Sequence, residues 1–220
     1  MRLADLPPAP VFEALRPMLL DKRKHPPFDS SDWAFEIKYD GWRILAQFGG
    51  GAAPQLRTRQ GLDASTWFPE VCRDLARYAG RSPHVVDGEI CVLDPMGRSD
   101  FERLQTRARR KCWYPECDPV AFCIFDLLVQ SGRSVMGLGY SERKKRLARL
   151  FAPKPRRGLL VVQSIPDTGK QLFAHAVALE LEGIVGKRKD SLYTPGERTD
   201  VWRKVRRPGA VPPERFKFDR

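Results

Sequence analysis

The sequence predicts a single α+β domain built mainly from antiparallel strands. Residues 33–38 alternate large apolar side chains with small or charged ones, and this period of two is typical of a half-buried strand. Asp-Gly pairs at 40–41 and 87–88 follow such strands and indicate tight hairpins. Single helical segments separate the later strands without the regular alternation of a doubly wound sheet, so the pattern favours α+β over α/β.

The N-terminal third predicts an extended lead-in followed by three short strands. Residues 1–31 are rich in proline and charge and are expected to be extended. The segment 43–48 is expected to pair back on 33–38 across the first Asp-Gly turn. A glycine-rich turn then leads to the third strand at 55–59.

The middle of the chain predicts two helices around a second hairpin. Residues 66–80 carry apolar side chains at helical spacing and end at Gly80, which is typical of a helix terminus. Residues 84–94 form a second strand–Asp-Gly–strand unit, and 99–109 is a basic helix with Ser99 as its expected N-cap.

The C-terminal half predicts buried strands separated by amphipathic helices. Uninterrupted apolar runs indicate buried strands at 119–132 and 158–165. The remaining expected elements are helices at 141–151 and 168–182, strands at 183–190 and 201–207, and a proline-rich tail at 208–220.

Composition limits the classes of partner and compartment. The 220 residues carry a net charge of +12, which favours a polyanionic partner such as nucleic acid, an anionic membrane surface or a nucleotide. No apolar run is long enough to span a bilayer, and the N-terminus lacks a signal-peptide core, so no membrane anchor is expected. The five cysteines are odd in number and suit reduced thiols, so we expect a cytoplasmic protein.

Lys38 ends the first predicted strand, two residues before the Asp-Gly pair. For a single lysine, a solvated position on an edge strand is the ordinary interpretation. A nucleophilic role requires a neutral amine, whereas lysine normally titrates at about 10.4. Arg43, Lys204 and Arg206 are expected to lie near Lys38 if strand 201–207 pairs alongside, and such cations lower the pKa of an amine and bind phosphates.

Four other fragments have ordinary structural interpretations when each is taken alone. Glu89 follows an Asp-Gly turn, Phe125 lies in an apolar strand, and Glu182 ends a helix. Lys204 and Arg206 also suit a basic edge strand that resists aggregation. In a nucleotide site, the same residue types would contact ribose hydroxyls, stack on a base, hold Mg²⁺ near phosphates and bind those phosphates.

The order and spacing of these fragments resemble the motifs of the covalent nucleotidyltransferases. The motifs are K-x-D-G-x-R at 38–43, D-G-E at 87–89, F-D-L-L at 125–128, E-G-I-V-x-K at 182–187 and W-x-K-V-x at 202–206. The set is most similar to ATP-dependent DNA ligases, and LRPML at 15–19, RTRQG at 57–61, FERLQ at 101–105 and the stretch 187–205 resemble the ligase module of bacterial non-homologous end-joining enzymes.

The resemblance implies a nucleotidyltransferase (ATP-grasp-like) adenylation domain over 32–207, with two antiparallel sheets and flanking helices around a nucleotide cleft. It also implies a role for each matching residue. The implied catalytic residues are Lys38 as the adenylated nucleophile, Asp40, Arg43 and Lys204. The implied ATP-binding residues are Glu36 at the adenine amino group, Phe125 stacked on adenine, and Arg59 and Glu89 at the ribose. Four basic residues would lie in the same pocket: Arg43, Lys187, Lys204 and Arg206. Glu182 and Glu89 would hold Mg²⁺.

The implied substrates are ATP and nicked double-stranded DNA in a repair pathway. Lys38 would take AMP from ATP, pass it to a 5′-phosphate at the nick, and leave the 3′-hydroxyl to seal the strand. A monomer in the cytoplasm, associated with the nucleoid and with other repair proteins, is expected.

Two departures from the family pattern matter. Arg206 stands where the family usually has lysine, so the charge is kept but a compact ammonium is replaced by a planar fork. Family ligases carry an OB-fold domain after this strand, and only fourteen residues follow Arg206, so no OB-fold domain is expected unless a separate protein supplies one. Three interpretations therefore stay open: a DNA ligase, an RNA ligase or capping-type enzyme with the same lysine motif, and a non-catalytic DNA-binding module.

Overall fold

The computed structural model describes residues 2–152 and 158–210. Within this part, ten strands form two sheets on either side of a cleft, and four α-helices flank the sheets. The strands are β1 Ser30–Ile37, β2 Trp42–Gly49, β3 Ala52–Thr58, β4 His84–Cys91, β5 Ala121–Gln130, β6 Arg133–Ser134, β7 Leu159–Val161, β8 Ile165–Asp167, β9 Gly183–Arg188 and β10 Trp202–Arg206. The helices are α1 Pro69–Ala76, α2 Phe101–Ala108, α3 Tyr140–Phe151 and α4 Gly169–Ala178.

The first sheet is antiparallel and has the strand order β10-β9-β1-β8. Its outer face packs on α4, where Phe35 of β1 and Ile184 of β9 are fully buried beside Leu172. Because side chains alternate along a strand, burying Phe35 on this face turns Glu36 to the opposite face, towards the cleft.

The second sheet has the order β3-β2-β4-β5-β6, with β7 added parallel to β5. Its outer face carries the largest core, in which Ile44 and Phe122 are fully buried with Phe68, Leu75 and other side chains around α1, α2 and α3. The structure thus has the expected two antiparallel sheets with flanking helices, and β7 is the parallel exception among the described strands.

The prediction of a hairpin at Asp40-Gly41 is wrong. The strands β1 and β2 belong to different sheets, since β1 pairs with β8 and β9 while β2 pairs with β3 and β4. A Cβ on Gly41 would lie 2.2 Å from the carbonyl oxygen of Ile90, so the glycine allows the crossing chain to pass close against β4. Lys38 therefore begins the crossing from one sheet to the other.

The prediction of a hairpin at Asp87-Gly88 is also wrong, because β4 continues through both residues. The pairing of β4 with β5 shifts at this point. A Cβ on Gly88 would lie 2.5 Å from the ring of Phe122 and 2.7 Å from the carbonyl oxygen of Cys123. The absence of a Cβ on Gly88 therefore lets the neighbouring strand approach closely, which is a common reason for glycine inside a strand.

Two smaller predictions also fail. The N-cap of α2 is Asp100, whose side chain accepts from the Arg103 amide, while the Ser99 hydroxyl accepts from the Asp40 amide at 3.1 Å. The single strand expected at 158–165 is divided between β7 and β8, which lie in different sheets.

The N-terminal residues cover one end of the cleft. They form short 3-10 helices at Leu3–Asp5 and Phe12–Ala14, and Phe12 and Met18 are buried against both sheets. Of the tail expected at 208–220, residues 211–220 lie outside the described part of the chain. No helix in the described residues is long and apolar enough to cross a membrane.

Candidate active site

Rows of paired side chains cross the cleft face of the first sheet. Directly paired residues of antiparallel strands project from the same face of the sheet, so the register determines which side chains are neighbours. The rows are Glu36, Val185 and Lys204; then Ala34, Lys187 and Trp202; and then Gly183 and Arg206, with the Lys38 amide donating to the Gly183 carbonyl at 2.9 Å. Strand pairing therefore brings Lys38, Lys187 and Lys204 to the cleft face of the first sheet.

The second sheet supplies an aromatic wall to the same cleft. Arg43 of β2, Glu89 of β4 and Cys123 of β5 pair in one row, and Phe125 follows on the same face. The Phe125 ring centroid lies 4.4 Å from both the Arg43 guanidinium carbon and the Lys187 ammonium. With Val185 and Trp202, these residues line a narrow pocket of about 30 Å³ that also includes Lys38. Apolar side chains supply most of its exposed wall.

The Lys38 side chain is largely buried and paired with Glu182. Its Nζ lies 2.6 Å from Glu182 Oε2, while Arg206 Nε donates to Oε1 of the same carboxylate at 3.0 Å. Burial alone would lower the pKa of Lys38, but Glu182 and then Glu89 reverse that effect, and the pKa is raised. The expectation that neighbouring cations depress this pKa is therefore wrong, since the contribution of Arg206 is smaller than that of the carboxylates.

Glu89 lies beside this ion pair. Its Oε1 accepts a hydrogen bond from the Gly41 amide at 3.0 Å. Burial raises the pKa of Glu89, and the Glu182 carboxylate raises it further against the opposing charges of Lys38 and Arg43. Two carboxylates and one lysine amine thus share the point where the chain crosses between the sheets.

Arg43 is held by a residue that sequence reasoning assigned to a turn. Asp87 is fully buried and accepts from Arg43 Nε at 2.5 Å and Nη2 at 2.7 Å. The Tyr193 hydroxyl also donates to Asp87, at 2.6 Å. This bidentate pair fixes the guanidinium beside Phe125.

A cationic cleft of about 250 Å³ opens on one side of Lys38. Its walls include Glu89 and the basic residues Arg43, Arg59, Arg198, Lys204 and Arg206. Burial lowers the pKa of Lys204, and repulsion from Arg206, Arg198 and Lys38 lowers it further, which shows that these cations are crowded. The sequence pattern did not identify Arg198 as a site residue. The signal that could have identified it is its position in the loop, four residues before the W-x-K-V-x motif.

Asp40 faces a different space. It lines a second cleft, of about 400 Å³, on the other side of Lys38, together with Asp94, Arg98 and Glu182. Asp40 is therefore a neighbour of Lys38 but lies outside the pocket of Phe125 and the cationic cleft.

Glu36 lies at the closed end of the apolar pocket within a network of donors. The Tyr140 hydroxyl donates to its Oε1 at 2.5 Å, Lys144 also bonds Oε1, and Lys187 Nζ lies 2.7 Å from Oε2. Burial lowers the pKa of Lys187 to about 8, although Glu36 opposes the shift. Tyr140 and Lys144 were also missed, because α3 meets Glu36 only through tertiary packing and no local pattern indicates the contact.

Comparison with known proteins gives a consistent assignment. A family profile described as the ATP dependent DNA ligase domain matches residues 17–206. The chain is 37% identical over 191 residues to the multifunctional non-homologous end joining DNA repair protein LigD of Mycobacterium tuberculosis, covering 87% of this chain and 24% of that protein. It is 34% identical over 197 residues to the bifunctional LigD of Bacillus subtilis, covering 80% of this chain and 31% of that protein.

Solved structures agree with this result. The ligase domain of M. tuberculosis LigD has a TM-score of 0.74 at 35% identity, over 89% of this chain and 62% of that one. A mycobacterial DNA ligase D complexed with ATP and MES has the same TM-score and identity, over 89% and 61%. The chain spans about a quarter to a third of the length of these curated relatives. Since the family profile covers most of its residues, the chain belongs to the ATP-dependent DNA ligase domain family.

Proposed function

We propose that this chain is the adenylation module of an ATP-dependent DNA ligase and that Lys38 carries AMP. The observation that supports this most strongly is the position of Lys38 Nζ, 2.6 Å from Glu182 and between an apolar pocket and a cationic cleft. The aromatic and apolar side chains of the pocket suit a purine base, and the neighbouring cations suit its phosphates. A similar structure is described as complexed with ATP, which supports the same substrate here.

In this proposal the apolar pocket takes the adenosine. Phe125 stacks on the base, and Glu36 at the closed end accepts from the 6-amino group. Lys187 bonds Glu36 and Phe125 within the same wall. Glu89 lines both this pocket and the cationic cleft, Arg59 lines the cleft, and the two contact the ribose hydroxyls.

The cationic cleft takes the phosphates. Lys204 and Arg206 contact the α-phosphate, because they lie in the same region of the first sheet as Lys38. Arg43 and Arg198 line the same cleft and add charge where the triphosphate, and later the nick phosphate, would lie. Crowding these cations weakens each one's hydration and holds them ready for phosphate oxygens.

Mg²⁺ is the proposed metal, and Glu182 and Glu89 would hold it. In the described residues no group of three or more metal-ligating side chains forms a closed site. The donor set still fits, since Mg²⁺ is commonly held by one or two carboxylates with phosphate oxygens and water. When bound, the ion offsets charge that develops on the reacting phosphate. Glu182 would give up its bond to Lys38 in binding it, and the pKa of Lys38 would then fall.

The proposed reaction has three balanced steps. The neutral amine of Lys38 attacks the α-phosphorus of ATP, so that an N–P bond forms, pyrophosphate leaves and the amine loses a proton. A 5′-phosphate oxygen at the nick then attacks the same phosphorus, the N–P bond breaks, and Lys38 takes up a proton and leaves as the neutral amine. The 3′-hydroxyl oxygen finally attacks the activated 5′-phosphate, AMP leaves with its electron pair, and the hydroxyl proton is lost. Asp40 lines the second cleft beside Lys38, and we assign it a catalytic role at the DNA strand.

The cellular setting follows from the relatives. End-joining proteins are among the relatives that match this chain, so we propose nicked double-stranded DNA as the second substrate and repair proteins as associates. We further propose a cytoplasmic monomer associated with the nucleoid. The proposed adenylation domain is 32–207, preceded by the lead-in at 1–31 and followed by the tail at 208–220.

The test is nick sealing by the purified 220 residues, followed step by step in single-turnover reactions. One reaction contains ATP and nicked DNA, and the other contains DNA already adenylated at the 5′-phosphate. If groups outside these 220 residues normally orient pyrophosphate, the first step should be slower by about 10²–10³, the size of one positioning contribution. Faster sealing of pre-adenylated DNA supports the proposal, while failure to seal either substrate supports the DNA-binding module instead.

A further inference from the structure

The carboxylate of Glu36 is bonded by several donors at once. It is 2% exposed and receives bonds from three side chains on two different elements. Tyr140 and Lys144 come from the first turns of α3, and Lys187 comes from β9. Lys38, by contrast, bonds Glu182 rather than Glu36.

The donors are divided unequally between the two oxygens. Each carboxylate oxygen has about two acceptor positions. Oε1 receives both the Tyr140 hydroxyl and the Lys144 ammonium, whereas Oε2 receives only Lys187. Among the described residues, one acceptor position of Oε2 therefore has no bonded donor, and Glu36 lines the same pocket as Phe125.

A single remaining acceptor distinguishes adenine from guanine. Adenine carries an amino donor at C6, and guanine carries a carbonyl oxygen there, which a fixed anionic oxygen repels. Two cations beside Glu36 are already engaged: Lys187 bonds Glu36 and the Phe125 carbonyl and lies 4.2 Å from the Trp202 ring centroid, and Lys144 bonds the same two acceptors. A site built to accept from an N–H group strongly rejects an analogue that lacks it.

We propose that Tyr140 and Lys144 are positioning residues that orient Glu36 so that only Oε2 can accept from the base, and that they thereby set the preference for adenine over guanine. This inference rests on the proposed function, because it requires a purine in the pocket of Phe125.

The test is equilibrium binding of AMP and GMP by calorimetry to the whole 220-residue chain. Neither nucleotide carries the pyrophosphate leaving group, so the measurement reports binding without turnover. A charge-assisted hydrogen bond contributes about 1.5–3 kcal/mol, so the wild type should bind AMP about 10–150-fold more tightly than GMP. Tyr140→Phe and Lys144→Met should each reduce this ratio about tenfold, mainly by weakening AMP.

Two further variants sharpen the result. Glu36→Gln replaces the acceptor by an amide that can turn a donor towards the guanine oxygen, so its ratio should approach one. Lys145→Met is the matched control, since Lys145 is the exposed neighbour of Lys144 on α3 and should keep the wild-type ratio. Cooperative thermal unfolding of each variant shows that it is folded.

The outcomes separate the two proposals. If the wild type binds AMP selectively but Tyr140→Phe and Lys144→Met, both folded, keep the full ratio, the positioning role is wrong while the nucleotide site stands. If the wild type binds neither nucleotide, the proposed function fails and this inference fails with it.

Discussion

Replacing Glu182 with glutamine should make Lys38 more reactive, even though it removes a proposed metal ligand. The Glu182 carboxylate lies 2.6 Å from Lys38 Nζ and raises the pKa of that amine. The Lys38 and Glu182 side chains are 12% and 5% exposed, so water screens the pair only weakly. Glutamine keeps the shape of the side chain and removes its charge.

The size of the effect follows from the ion pair. At the ordinary lysine pKa of 10.5, about one amine in 300 is neutral at pH 8, and Glu182 reduces that fraction further. Losing a hydrogen bond to a charged partner costs about 1.5–3 kcal/mol, so the pKa of Lys38 should fall when Glu182 becomes glutamine. The neutral amine, and its rate of acylation, should therefore increase about 10–100-fold at pH 8.

The assay is competitive labelling with limiting acetic anhydride between pH 7 and pH 10, without ATP or metal. Mass spectrometry of the peptide containing Lys38, relative to exposed lysines, gives the rate at each pH. The wild-type profile should rise at higher pH than that of Glu182→Gln. Glu180→Gln is the matched control, because Glu180 lies two residues away, is 69% exposed and pairs with Arg98. Equal labelling of Lys38 in wild type and Glu182→Gln at every pH would refute the reasoning.

Two other predictions concern stability and DNA binding. Asp87→Asn should destabilise the fold by roughly 3–5 kcal/mol, because it leaves the buried Arg43 guanidinium without its charge partner. Urea unfolding measures the free energy of unfolding of each variant. Asp190→Asn is the exposed control and should change that free energy by less than about 0.5 kcal/mol. Binding to nicked duplex DNA should weaken steeply with salt, at about 0.9 units of log K per log salt for each phosphate contacted, since the net charge is +12; fluorescence anisotropy that does not change with salt contradicts an electrostatic footprint.

Local sequence patterns predicted which residues share a face better than how the chain turns. The period of two in β1 placed Glu36 and Lys38 together, and the structure has both on the cleft. The same stretch predicted a hairpin at Asp40-Gly41 that does not exist, because glycine also serves close backbone approach and a dipeptide does not distinguish the two uses.

The rest of the candidate site depends on long-range packing. Asp87, Tyr140 and Lys144 contact Arg43 and Glu36 across 44 to 108 residues of sequence. No spacing rule connects such positions. The protonation of Lys38 was likewise predicted with the wrong sign, because the partner that dominates it, Glu182, lies 144 residues away.

The most direct test of the central claim is to locate the covalent AMP. The purified chain is incubated with ATP and Mg²⁺, digested, and analysed by mass spectrometry under conditions that preserve the acid-labile N–P bond. The account predicts one AMP adduct, on Lys38, that disappears in Lys38→Arg and transfers to the 5′-phosphate when nicked DNA is added. An adduct on a different residue, or no adduct on a folded chain that binds ATP, contradicts the assignment of Lys38 as the nucleophile.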